Sequence, residues 1–185
     1  MRQTTILLLL LSLTSAGVTH AQQPHELPDS TYLKLTLDLP VLGTFSYDVV
    51  SAGGLRNVHG EVRNVAVERC TLSFEIWMQQ LPRHWVATYA IPLRALDARS
   101  MSIRAAHAPR NTKYEPQPWL LRLAVRSDSE SRILTGTRES PHQRPTRRVD
   151  LTVKDYETGT LIKAWLLDGA NRCETWNTTP IKAVR

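Results

Sequence analysis

Apolar and polar residues alternate with a period of two along most of this chain, the signature of strands with one buried and one wet face. Residues 32–39 show it first: Leu33, Leu35, Leu37 and Leu39 fall on one side, and Tyr32, Lys34, Thr36 and Asp38 on the other. Pro40 ends that run. Residues 43–50 resume it with Phe45, Tyr47 and Val49 on a common face, and a turn over 39–43 would make the two runs an antiparallel pair. After the break at Ser51-Ala52-Gly53-Gly54, a more polar strand is predicted over 60–67 and a clean one over 70–78, with Leu72, Phe74, Ile76 and Met78 inward. Pro82 separates it from 84–91. Residues 92–98 read as one helical turn or a loop, 101–106 as a weak strand, and 109–118, with three prolines, as a long loop. Strong alternation returns over 119–126.

Only one sizeable helix is predicted, over 127–134, where Ser127 and Glu130 have the spacing of a capping box. The clearest supersecondary element is then a hairpin over 149–167. Val149, Leu151 and Val153 form one face of its first arm, Asp155 to Gly159 its turn, and Leu161 to Leu167 its return arm. The tail from Cys173, around Trp176, reads as a closing strand or extended segment. Seven or more strands separated by turn signals predict a mainly β fold: an antiparallel β-sandwich or closed barrel with one short flanking helix.

The ends of the chain change the picture of its address. Arg2, the apolar run from Ile6 to Leu11 and the small residue at Ala21 have the pattern of a signal peptide over 1–21. The apolar run is too short to span a bilayer, which favours cleavage over a retained tether, and no later segment reaches spanning length. A polar leader over 22–31 and a single β domain over 32–185 would follow, placing the protein outside the cell or in the periplasm. Cys70 and Cys173 are the two cysteines of a chain read as exported, so pairing is the default, with two separate thiols as the alternative.

The formal charge of +6 is carried mostly by arginine. The densest run, 137–148, holds four arginines and two prolines with no aromatic residue interleaved, so it reads as a solvated loop and not as a nucleic-acid groove. The sequence contains no HExxH, no GxSxG, no P-loop and no dinucleotide fingerprint. Its histidines, among them His59 and His84, are scattered, and Asp48, Glu61, Glu75 and Asp97 show no paired-carboxylate spacing. No catalytic residue, cofactor site or metal site is assigned, and no enzyme is expected. Trp77, Trp85, Tyr114 and Trp119 are candidates for a stacking platform, against the alternative that they pack the core. Asn177-Thr178-Thr179 fits the glycosylation acceptor pattern.

Two stretches carry a resemblance. The hairpin segment, with Leu151, Val153, Asp155, Gly159 and Trp165, followed by Ala170 and Trp176, is similar to the end of tube proteins of contractile phage tails and related injection systems, the haemolysin-coregulated-protein-like family. At the other end, YLKLTLD and GTFSYDVVSAGGL resemble that family's opening strand and the run after it. The resemblance spans about half of the chain beyond the signal segment and implies a β-sandwich or barrel that stacks into hexameric rings. The expectation is therefore an exported structural or interaction domain whose partner is protein, a second copy included, without nucleic acid or integral membrane segment. A secreted or periplasmic module binding glycan or lipid is the alternative.

Overall fold

The structure, a computed structural model, describes residues 29–178, and all structural statements below concern these. Ten strands form two antiparallel sheets. The larger contains β1 (Phe45–Ser51), β2 (Gly54–Glu68), β3 (Thr71–Gln80), β4 (Arg83–Pro92), β6 (Thr112–Glu115), β8 (Ile133–Thr137) and β9 (Ser140–Thr146) in the order β6-β1-β2-β3-β4-β8-β9. The smaller has the order β10-β7-β5, from β5 (Ser102–Ala105), β7 (Trp119–Ala124) and β10 (Arg148–Val153). The fold is thus mainly β and sandwich-like, as the alternation predicts. Both sheets are open, so the barrel alternative falls.

The alternation works where one face is buried and the other is not. In β3, Leu72, Phe74 and Ile76 are buried while Ser73 and Glu75 are half-exposed. Across from them stand Leu121 of β7, Leu151 and Val153 of β10, and Ile162 and Leu166 of a long helix, α3 (Tyr156–Thr178). Residues from both sheets and from α3 surround a residual core void of only about 20 Å³, roughly the space of a single water.

The expected hairpin is not formed. Its first arm is β10, but the return arm is the first half of α3. Asp155, taken as a turn residue, caps the helix: its Oδ1 accepts the Thr158 amide at 2.7 Å, satisfying one of the free N–H groups of the first turn. Thr158, Ile162, Leu166, Ala170 and Cys173 are buried, the i, i+3/i+4 series of a helix face. Gly159 does not supply a positive φ. It lets α3 approach the small sheet, where an added Cβ would stand 3.2 Å from Val153 and 3.3 Å from Ile103. The predicted closing strand is likewise helical through Thr178, and residues beyond lie outside those described.

The opening leucines are also helical. Residues Asp29–Leu33 (α1), a π-type stretch Lys34–Asp38, and Leu39–Leu42 (α2) form one continuous segment. A period of two contains a period of four, and here Thr31, Leu35 and Leu39 are buried while Leu33, Leu37 and Val41 face outward. The Thr31 hydroxyl donates to Asp168 of α3 at 2.5 Å, and Gly43 sits against Val62 of β2, so the segment covers the large sheet beside α3. The first described residue, Asp29, already belongs to this helical segment, three residues ahead of the alternating run.

Two further expectations give way. The capping-box helix over 127–134 is absent: the chain is irregular there until β8, whose Leu134 pairs with Ala90 and whose Ile133 is fully buried. Sheet pairing and burial outweigh a local capping pattern. The proline loop over 109–118 contains β6, which pairs with β1. The anticipated turn at 92–98 holds a 3-10 helix, Leu93–Ala95.

The disulfide is formed. Cys70 and Cys173 are joined with Cα atoms 5.9 Å apart, tying the β2–β3 turn to α3. In that turn Arg69 and Cys70 both have positive φ, 46° and 63°, the conformation of a type I′ hairpin turn.

Candidate functional site: an aromatic groove on the large sheet

The inner face of the large sheet outruns its cover. Register places its residues in rows that cross the strands. Phe45, Gly60, Met78 and Trp85 form one row, and Tyr47, Val58 and Gln80 the next. Tyr114, Val49 and Arg56 form a third row. The rows of Leu72, Phe74 and Ile76 lie under α3 and the small sheet, whereas these three lie beyond them. They leave an open concavity of about 440 Å³ lined by Tyr47, Val49, Arg56, Val58, Met78, Gln80, Trp85 and Tyr114, with Pro109 of the β5–β6 loop at its edge. Such a volume is in the range of small-molecule sites. Four inter-strand spacings of about 4.8 Å separate Tyr114 on β6 from Trp85 on β4, so the groove runs roughly 19 Å across the sheet.

An aromatic series connects groove and core. Phe45 is buried and its ring lies over Gly60, where an added Cβ would come within 2.2 Å of it. Tyr47 stacks beside Phe45 at 6.2 Å between centroids, and Tyr114 meets Tyr47 edge-on at 5.3 Å. Burial, and secondarily the neighbouring Tyr114, push the Tyr47 phenol above its ordinary pKa, so it stays a neutral donor. The floor is therefore apolar and aromatic, and the rim carries hydrogen-bonding groups.

Of the four aromatic residues proposed as a stacking platform, the structure brings two together. Trp85 and Tyr114 line the groove. Trp77 lies on the opposite face of the sheet, its indole N–H donating to Glu75 at 2.9 Å and the guanidinium carbons of Arg63 and Arg138 at 4.6 and 5.3 Å from its ring. Trp119 packs edge-on against Tyr156 at 5.3 Å, joining β7 to α3. Tyr47, Met78 and Gln80 belong to the groove and were not singled out in sequence. The face shared by Phe45, Tyr47 and Val49 was visible, but where its cover stops was not.

The remaining residues singled out in sequence have structural places. Leu151 and Val153 are buried in β10, and Trp165 is half-buried on α3. Trp176 belongs to the final turns of α3. The residues that carried the tube-protein resemblance thus lie in a strand and a helix. Asn177 falls on the last turn of α3, and Thr179 lies outside the described residues. His59 Nε2 sits 3.0 Å from Glu61, which also accepts from Arg63, and these bonds hold the Glu61 carboxyl below its usual range. All three side chains lie along one strand on the outer sheet face and not in the groove. Among the described residues no three His, Cys, Asp or Glu gather as a metal site, and no helix is long and apolar enough to cross a membrane.

Comparisons with protein families, curated proteins and solved structures find no match for this chain.

Proposed function

We propose that the protein is an exported, non-enzymatic module that binds an elongated, partly apolar small ligand in the groove between Tyr114 and Trp85. One observation carries this: an open concavity of about 440 Å³ lies over the three outer rows of the large sheet, lined by the half-buried rings of Tyr47, Trp85 and Tyr114. The buried disulfide fits an oxidising compartment, which supports export. The edges of the large sheet favour a ligand over a ring of copies. β6 is four residues long with Lys113 and Glu115 on it, and β9 has two prolines in its sequence, so neither edge invites strand addition.

The test is calorimetry of the purified protein against sodium decanoate, decanol and cellohexaose, repeated with Trp85→Ala and Tyr114→Ala. Binding of one probe to the wild type, weakened about tenfold in both variants with unchanged melting temperature, is expected, since an aromatic contact contributes about 1–3 kcal/mol. No binding by any probe, or binding indifferent to both substitutions, would sink the proposal.

A further inference from the structure

The groove holds one charge. Among the described residues that line it, Arg56 is the only ionised side chain, and it makes no ion pair or hydrogen bond. The acids on neighbouring strands are turned away. Asp48 of β1 lies on the opposite face, accepting from Asn57 at 2.9 Å, and Glu61 of β2 is held there by His59 and Arg63. Glu115 of β6 alternates with Tyr114 and so leaves the groove face too. Further cations stand near the rim: Arg83 pairs in register with Gln80, and Arg110 follows Pro109.

An unpaired guanidinium in the outermost row of a groove with apolar side chains on its floor is complementary to a molecule with a single anionic head and an apolar body. From this we infer that the ligand is a long-chain carboxylate, its head taken by Arg56 on β2 and its chain laid over Val58 and Met78 toward Trp85 on β4. The planar fork of arginine matches a carboxylate with two parallel hydrogen bonds, and the single lining cation matches a monoanion. Gln80, Thr112 and Ser51 supply further polar groups on the rim.

This inference rests on the groove being a binding site, and the experiment separates the two. Decanoate and decanol are titrated below their aggregation concentrations into wild type, Arg56→Gln and Arg56→Lys, with cellohexaose as the third probe. Decanoate is expected to bind wild type roughly tenfold to a hundredfold more tightly than decanol, the contribution of a charge-assisted hydrogen bond. Arg56→Gln should abolish that preference while leaving decanol unchanged, and Arg56→Lys should retain part of it. Equal binding of the two amphiphiles, a preference that survives Arg56→Gln, or binding of the hexasaccharide alone would overturn the carboxylate assignment and leave the groove standing. Absence of binding by all three would overturn both.

Discussion

Removing the disulfide is the sharpest test of how α3 is held. Cys70 and Cys173 are 103 residues apart in sequence, and their bond closes that loop in the unfolded chain. A closed loop of about 100 residues is worth up to roughly 4.7 kcal/mol in lost chain entropy, less whatever the alternative packing recovers. Cys173 is fully buried and Cys70 nearly so, which leaves little room for relaxation. In a domain of this size 1 kcal/mol moves the melting temperature by about 2–4 °C, so Cys70→Ala/Cys173→Ala should melt below wild type by a margin whose ceiling is roughly 9–19 °C. The fold should survive, because Ile162, Leu166 and Ala170 still bury the helix face. Thermal melts followed by circular dichroism, for wild type with and without reductant and for the double variant, provide the measurement. Hydrogen exchange should rise first at the end of α3 near Cys173. A double variant melting within about 2 °C of wild type would show that the bridge does not constrain this loop.

Other consequences follow from the same contacts. The Asp150 carboxyl is held below its ordinary pKa by bonds from Arg122 and then Arg104, as Asp168 is by Thr31 and Asp155 by the Thr158 amide. Folded-state values below the unfolded ones mean that this stability is complete above the ordinary carboxylate range and is lost as pH falls through the lowered values. The melting temperature should therefore drop as pH falls below about 4, and less steeply in Asp150→Asn; an unchanged slope in that variant would refute the assignment. Gly60→Ala forces a methyl into the Phe45 ring, so a loss of about 1–3 kcal/mol in chemical denaturation is expected, with weaker groove binding, whereas neutral behaviour would contradict the packing there. Arg69 occupies a positive-φ position that asparagine adopts more readily. Arg69→Asn should raise the melting temperature by about 2–4 °C, corresponding to roughly 1 kcal/mol, and a decrease would argue against the type I′ turn.

How much of this was legible depends on what each run of residues left undetermined. β3 and β10 could be read from alternation because their buried residues fall on one face, Leu72, Phe74 and Ile76 in the first and Leu151 and Val153 in the second. Leu33, Leu35, Leu37 and Leu39 could not, since the same letters satisfy a strand burying all four or a helix burying Leu35 and Leu39 only. The Thr31–Asp168 bond, across 137 residues, helps decide for the helix. In 161–167 apolar residues occupy both strand faces and also the helical positions of Ile162 and Leu166. The signal that separates the two is Asp155 as a cap together with Thr158, Ile162, Leu166 and Ala170 at helical spacing. The groove was half legible: the shared face of Phe45, Tyr47 and Val49 and the candidates Trp85 and Tyr114 are sequence features. That β6 returns beside β1, and that the second layer stops before Met78, are facts of tertiary packing which no local pattern encodes.

The central claim is that ligand enters the groove at Trp85 and not elsewhere. It is tested most directly by fluorine NMR of protein labelled with 5-fluorotryptophan, which gives each of the five tryptophans its own resonance, with Trp85→Phe to assign that signal. Adding decanoate should shift the Trp85 resonance in a saturable way while those of Trp77, on the opposite sheet face, and Trp119, packed on Tyr156, stay in place. A saturable shift at Trp77 or Trp119 with Trp85 unmoved would contradict the account.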